Sequence, residues 1–238
     1  VSMMQYTRDA ATLAKLSGDY RLYVDGVAAA AAATLGTDDH VKQLTVTDTS
    51  ENIAASLDAL SQNASLDAIT VSGTASLFAM TADQRTGYAN TLNKIVGGYK
   101  LVITDAAAAD AAVLSSDSQV AAWKVVASAA NVLGNLVALD AAGNKVQSIV
   151  LTGAPSRLSM SYAQWTQYQT LLAKINSAYT VAVTGAGADK VPTLARDPRV
   201  AAISIMDTAS RIVSNLDALR SEEHTSELQS RETISYAV

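Results

Sequence analysis

Apolar and polar positions alternate in short runs along this chain, and each run gives way to a segment with a helical period. Leu44 and Val46, Trp123 and Val125, and Ile203 and Ile205 stand two residues apart, which predicts a strand at each place. Thr49, Ser128 or Thr208 follows. A hydroxyl there accepts one of the orphan N–H groups that begin a helix. Apolar residues then recur at i, i+4 and i+7: Ile53, Leu57, Leu60; Val132, Leu136, Leu139; Ile212, Leu216, Leu219. That spacing is one face of a helix. A second strand is predicted at Ile69 and Val71, or Ile149 and Leu151, closed by Gly73 or Gly153. Short apolar segments, Leu77 to Met80 and Leu158 to Met160, lead into Thr81-x-x-Gln84 and Ser161-x-x-Gln164. These are capping boxes, in which cap and third residue satisfy each other's backbone donors. The helix behind each buries Tyr88, Leu92 and Ile95, or Tyr168, Leu172 and Ile175. A third strand follows at Leu101 and Ile103, Val181 and Val183, and earlier at Leu22 and Val24, and an Ala-rich connection leads on.

The pattern is an internal repeat. VKQLTVTDTSENIAASLDAL (41–60) matches VAAWKVVASAANVLGNLVAL (120–139) at an offset of 79 residues, and VAAISIMDTASRIVSNLDAL (200–219) at a further 80. MTADQRTGYANTLNKIVGGYKLVITD (80–105) aligns without gaps to MSYAQWTQYQTLLAKINSAYTVAVTG (160–185). LAKLSGDYRLYVDG (13–26) reads as the end of an earlier copy. The chain therefore divides into the end of a preceding unit (1–40), two units (41–119 and 120–199) and the start of a further one (200–219). Connections between strands are long enough for crossovers, so parallel pairing is expected. The fold class is α/β, with repeated β-α-β units, mainly parallel strands and solenoid-like stacking. A single open α/β domain is the alternative.

Residues 220–238, RSEEHTSELQSRETISYAV, break the pattern. They resemble the translation of a common sequencing adapter: Arg220 through Ser230 and Ile234 through Val238 match in frame, and an eight-base index fits between them. The tail is expected to make few contacts with the body. It carries two Arg and four Glu, a net −2, so the chain's −5 leaves −3 for the rest.

Composition narrows the function classes. Hydrophobic residues make up 49% of 238 and charged residues 16%, which excludes a disordered chain. With no cysteine there is no disulfide scaffold. The apolar run Val27 to Ala33 is far short of a membrane span, so no membrane insertion is expected. The negative balance argues against nucleic acid as a partner.

Candidate chemistry is sparse. Gly185-Ala-Gly187-Ala-Asp-Lys190 follows a predicted strand in the manner of a dinucleotide-binding turn. Lys190 takes the third glycine's place, and Asp105 to Asp110, its counterpart, has no glycine. Asp38-Asp39-His40 forms a potential metal corner, but His40 has no partner histidine outside the tail. Asp48, Asp58, Asp207 and Asp217 recur, while Ala127 and Val137 replace them in the middle unit. A repeated calcium site would not survive that loss, whereas a helix-start role would. Asn52 and Asn131 read as first-turn polar residues, Lys15, Lys94 and Lys174 as cations near a helix end, and Tyr20, Tyr88, Tyr99, Tyr168 and Tyr179 as core edges. No paired carboxylates, nucleophile elbow or phosphate loop is present in the sequence. The expectation is no catalytic, cofactor-binding or metal-binding residue, no cofactor, and no enzyme.

The phrase D-T-x-x-N-I-x-x-x-L-D-x-L, carried by Asp48, Thr49, Asn52, Ile53, Leu57, Asp58 and Leu60, resembles long repeat regions of very large bacterial secreted or surface proteins. Those regions are associated with RTX-type, type I secreted polypeptides and adhesins. The resemblance covers nearly all of 1–219 and defines a repeat, not an activity; the calcium-binding nonapeptide of the RTX class is absent. It implies a non-enzymatic structural or adhesive repeat segment, extracellular or on the cell surface. Its partners would be neighbouring units of the same chain, and cell-surface carbohydrate or protein. Two alternatives are a solenoid that binds carbohydrate or protein as a ligand, and a piece of a multidomain enzyme without its catalytic domain.

Overall fold

The computed structural model describes residues 1–73, 76–153 and 155–217. The chain is α/β and is built on three mainly parallel sheets. It forms two compact units, one of Val1–Asp105 with Asp117–Trp123, the other of Ala106–Ser116 with residues from Lys124 onward. An open α/β arrangement accommodates these sheets as well as a stacked solenoid does. The tail 220–238 and Leu219 lie outside the described residues.

In the first unit, α1 (Met3–Leu13) leads to β1 (Leu22–Val27), α2 (Ala29–Leu35) and β2 (Val41–Thr49). A broken helix, α3 (Ser50–Ala55) and α4 (Leu57–Ser61), connects to β3 (Leu66–Ser72). Next come β4 (Leu77–Met80), a second broken helix of α5 (Ala82–Gly87) and α6 (Ala89–Leu92), the two-residue β5 (Ile95–Val96) and β6 (Lys100–Ala106). β7 (Val120–Ser128) begins in this unit beside β6, where the Leu101 N–H donates to the Gln119 carbonyl at 2.7 Å.

The chain does not fill one sheet before starting the next. β1, β2, β3 and β5 lie side by side, with Ile69 opposite Ile95, while β4 pairs with β6, with Ala79 opposite Val102. From β3 the chain therefore crosses to another sheet as β4, returns as β5, and crosses again as β6. Each sheet holds a strand that the other's connection must pass, so the two sheets are interlocked by the chain itself.

The second unit repeats this exchange. α7 (Ala111–Ser116) belongs to it, as does the rest of β7, which continues through α8 (Ala129–Gly134) and α9 (Leu136–Ala141) to β8 (Val146–Thr152), the next strand of its sheet. β9 (Ser156–Ser161), α10 (Tyr162–Gln167) and α11 (Gln169–Leu172) follow. Ile175 then returns to bridge Ile149 of β8 in parallel. β10 (Tyr179–Ala186) pairs with β9, with Ser159 opposite Ala182. α12 (Val191–Ala195), β11 (Val200–Ile205) and α13 (Ala209–Ser214) complete the described elements, with β11 parallel to β10.

Local chemistry accounts for these elements. Thr49, Ser128 and Thr208 each accept the backbone N–H three residues on, and both capping boxes read from sequence are closed. A third box, Ser2 with Gln5, stands 79 residues before Thr81, so the earlier copy's match extends further back than Leu13. The apolar stripes fill the interior: Val24, Val46, Ile53, Ile69 and Ile103 are fully buried in the first unit. Leu158, Leu172, Val181, Val183 and Leu194 form the centre of the second. Each such side chain contributes ~1.5–3 kcal/mol relative to exposure.

Three features differ from the sequence expectation. The helices α3–α4, α8–α9, α5–α6 and α10–α11 are each broken once, at Ser56, Asn135, Tyr88 or Tyr168, where ψ moves close to zero. Ile95 and Ile175 leave the helix face and act as strand residues, because the chain must return to the previous sheet. The Ala-rich connections are themselves helical: α2, α7 and α12 bury Ala29, Ala32 and Leu35, Ala111 and Leu114, and Val191 and Leu194. Alanine's small side chain lets these short helices lie close on their strands.

Candidate functional site

The residues singled out in the sequence are not brought together. Gly185 has φ +70° and stands where β10 and β11 slip register, between Val183 and Ala186. Gly26, also at φ +70°, occupies the same slip between β1 and β2. The G-x-G is therefore a bulge, with the left-handed backbone that glycine tolerates. The N–H that a phosphate would need is taken, since Asp207 Oδ2 accepts it from Ala188 at 3.0 Å.

Asp48 does the same in the first unit. Its Oδ2 accepts from the Ala29 N–H at 2.9 Å, and its Oδ1 accepts from the Thr49 N–H and from Asn52 Nδ2 at 2.8 and 2.7 Å. The hydrogen bond from Asn52 leads in holding this carboxyl below its ordinary value. The recurring aspartates at 48 and 207 thus close helix starts across neighbouring strands. Asp58 and Asp217 are exposed, and Asp58 accepts from the Tyr88 hydroxyl. Among the described residues no three His, Asp or Glu side chains are placed to hold a metal ion.

Lys94 and Lys174 reach further than the helix ends to which the sequence assigns them. Lys94 Nζ donates to the Leu66 carbonyl, and Lys174 Nζ donates to those of Gly143 and Val146 at 2.7 and 2.9 Å. Both ammonium groups tie down the chain as it enters β3 or β8. Tyr20 and Tyr179 donate their hydroxyls to the carbonyls of Leu13 and Leu172, each at 3.2 Å, which anchors the head of β1 and β10 in the same way.

The arrangement with most chemical content is a corner that the sequence reading passed over. Asp38, Asp117 and Asp197 each precede a strand in the spacing D-x-x-V, and Oδ1 of each accepts the N–H two residues on, at 2.9, 2.7 and 3.0 Å. This Asx turn sets the chain's entry into β2, β7 and β11. The signal was present as D-x-H-V, D-x-Q-V and D-x-R-V at 79- and 80-residue offsets.

Around the constant aspartate the partners change. In the first unit, Tyr6 Oη donates to Asp38 Oδ2 at 2.8 Å, His40 Nδ1 lies 3.1 Å from Asp38 Oδ1, and the His40 ring stacks on Tyr20 with centroids 4.0 Å apart. Burial, then the bond to Asp38, pushes the Tyr6 hydroxyl up to about 12. Burial raises Asp38, but the bonds from His40 and Tyr6 outweigh it and hold the carboxyl below its usual range. These residues, with Leu13 and Leu22, line a cleft of about 270 Å³. Also in the first unit, Arg85 pairs with Asp117 near Tyr99. In the second unit Arg199 pairs with Asp197 at 2.7 Å and donates to Tyr179 Oη at 3.0 Å. The hydrogen bond to Asp197 leads in raising the Arg199 guanidinium.

Position 40 is thus His, then Gln119, then Arg199, and position 6 is Tyr, then Arg85, then Trp165, over a fixed tyrosine and aspartate. The backbone N–H at this position bonds the aspartate in all three copies while its side chain changes from imidazole to amide to guanidinium, which marks the corner as structural. No helix among the described residues is long and apolar enough to cross a membrane. No protein-family model and no curated protein sequence matches the chain.

Proposed function

We propose that the chain is a non-enzymatic structural repeat segment of a large extracellular bacterial protein, whose units of ~80 residues stack as a solenoid. The observation that carries this reading is the sheet exchange, β3 to β4 to β5 to β6, recurring as β8 to β9 to Ile175 to β10. A connection that locks each sheet to the next suits a segment that bears length or load. The lysine and tyrosine anchors repeat with it. The bacterial, extracellular part of the proposal rests on the D-T-x-x-N-I resemblance. Arrays of two, four and six copies of residues 41–199 test the stacking by small-angle scattering. Maximum dimension should grow by a constant increment per unit; particles that thicken without lengthening would sink the proposal.

A second reading, adhesive binding of carbohydrate or protein, is favoured by the corner whose two variable positions surround a constant Tyr–Asp pair. Glycan arrays separate the two: saturable binding weakened by Tyr6→Ala would favour adhesion. Against it, the recurring tyrosines turn inward, Tyr99 being buried and Tyr20 and Tyr179 half-buried.

A further inference from the structure

Gly36 and Asn63 meet where the Ala-rich connection of one copy reaches the next. Gly36 caps α2 in helical backbone, φ −65° and ψ −13°, a conformation open to any residue. Space is what the position lacks. A Cβ there would stand 2.7 Å from Asn63 Cγ and Nδ2 and 2.8 Å from Oδ1, well inside the ~3.5–4.0 Å of an ordinary contact between carbons. Asn63 is not free to swing aside. It is 8% exposed, its Nδ2 donates to the Ala32 carbonyl at 2.7 Å, and its Oδ1 accepts from the Ser65 N–H at 2.9 Å.

The following junction carries the same two positions with the sizes exchanged. Ser115 follows Leu114 as Gly36 follows Leu35, and Ala142 stands three residues after Leu139 as Asn63 does after Leu60. α7 packs on α9 as α2 packs on α4, and Ala142 is as buried as Asn63. The donor has moved too: Lys145 Nζ, from the turn after α9, reaches the Ser115 carbonyl at 2.8 Å. Both junctions thus close the connecting helix with a nitrogen of the following copy. One keeps its bulk at position 63, the other at position 115. Gly36 and Asn63 lie within the first compact unit, Ser115 and Ala142 within the second.

We propose that these pairs are a size key, which makes each copy selective for the connection that precedes it. The copy with Asn63 accepts a helix that ends in glycine and rejects one that carries a Cβ at that place, whereas the copy with Ala142 accepts serine. The partner surface is another copy of this repeat, chosen by its residue at the position of Gly36. A keyed junction sets the order in which copies stack and disfavours pairing with the wrong neighbour, in the same chain or in a second one. The proposal rests on the repeat reading, to which it adds the selectivity of the junctions, and is independent of the extracellular role.

A double-substitution cycle in the full chain tests the key by urea denaturation, with Trp123 emission reporting on the first unit in a Trp165→Phe background. Glycine in helical backbone normally gains stability on becoming alanine. Here Gly36→Ala should instead lower the midpoint by about 0.5–1 M, and beside Asn63→Ala the same substitution should leave it unchanged or raise it. The loss of the Asn63 hydrogen bonds is common to both members of the second pair, so the change of sign reads the key alone. Should Asn63→Ala abolish a cooperative melt, the second junction decides: Ala142→Asn should lower the midpoint by more in the native chain than beside Ser115→Gly. Equal shifts in the two backgrounds, or no loss from Gly36→Ala in the native chain, overturn the key. The array-length measurement reads the stacking separately, so lengthening arrays with equal shifts would reject the key alone.

Discussion

One residue position, occupied by leucine in three copies, offers a graded test of what holds the fold together. Leu57 and Leu136 lie on the inner face of a broken helix, each 3% exposed, while Leu216 is 45% exposed. Truncating a buried leucine to alanine removes the transfer free energy of its side chain and leaves a cavity, at ~2–5 kcal/mol. α4 packs against α2 and α6, and α9 against α7, so little collapse is available around Leu57 and Leu136 and ~3 kcal/mol is expected for each. At Leu216 about half of the transfer contribution is already forfeited to solvent and no closed cavity forms. About 1 kcal/mol is expected there. Urea denaturation of the three variants, followed by circular dichroism and by tryptophan emission, measures the losses. Trp123 is fully buried in the first unit and Trp165 half-buried in the second, so the two environments respond separately in single-tryptophan variants. Equal losses at 57, 136 and 216, or a larger loss at 216, would refute the assignment of the buried seam.

Leu57→Asp should unfold its unit, at a cost of several kcal/mol or about 3–5, whereas Asp58→Ala should cost under ~1 kcal/mol in the same melt, because Val137 fills the equivalent place while 73% exposed. Lys174→Met removes the donor to the Gly143 and Val146 carbonyls and should cost ~1–2 kcal/mol in urea, with Lys174→Arg restoring part of it. Asp38, Asp117 and Asp197 are all held below the usual carboxylate range, Asp197 chiefly by its bonds from Arg199. A depressed carboxyl stabilises the fold above its unfolded value of ~3.9, and that contribution is lost as pH falls through the folded value. The melting temperature should therefore hold from neutral pH down to ~5 and fall below ~4, with a shallower fall in Asp197→Asn; a rise on acidification would contradict the corner geometry.

The strand–helix grammar was legible because each element carries its own local signal. Alternation marks β2, β7 and β11, and hydroxyl caps mark the helices behind them. The sheet exchange was not legible. Ile95 continues the helical spacing of Tyr88 and Leu92, and only a partner 26 residues earlier, Ile69, makes it a strand. Long-range pairing overrides local period there. The Ala-rich connections misled for a related reason: alanine favours helix, but runs of six or seven residues show too little periodicity to declare a face. Of the corner, Asp38 and His40 were visible as a polar pair, but the metal reading missed the Asx turn. Its evidence lay in D-x-x-V recurring with a changing third residue, and Tyr6 enters only through the fold. The aspartates at 48 and 207 were placed correctly at helix starts, yet they also cap a second helix or turn 19 residues earlier, a reach no local pattern encodes.

The interlocked exchange is the central claim, and amide-to-amide NOEs in deuterated protein test it most directly. Four contacts are predicted: Ile69 to Ile95, Ala79 to Val102, Ile149 to Ile175, and Ser159 to Ala182. Observing all four would establish that the chain leaves each sheet, enters the next and returns. Cross-strand NOEs joining β3 directly to β4, or β8 directly to β9, with these four absent, would contradict it.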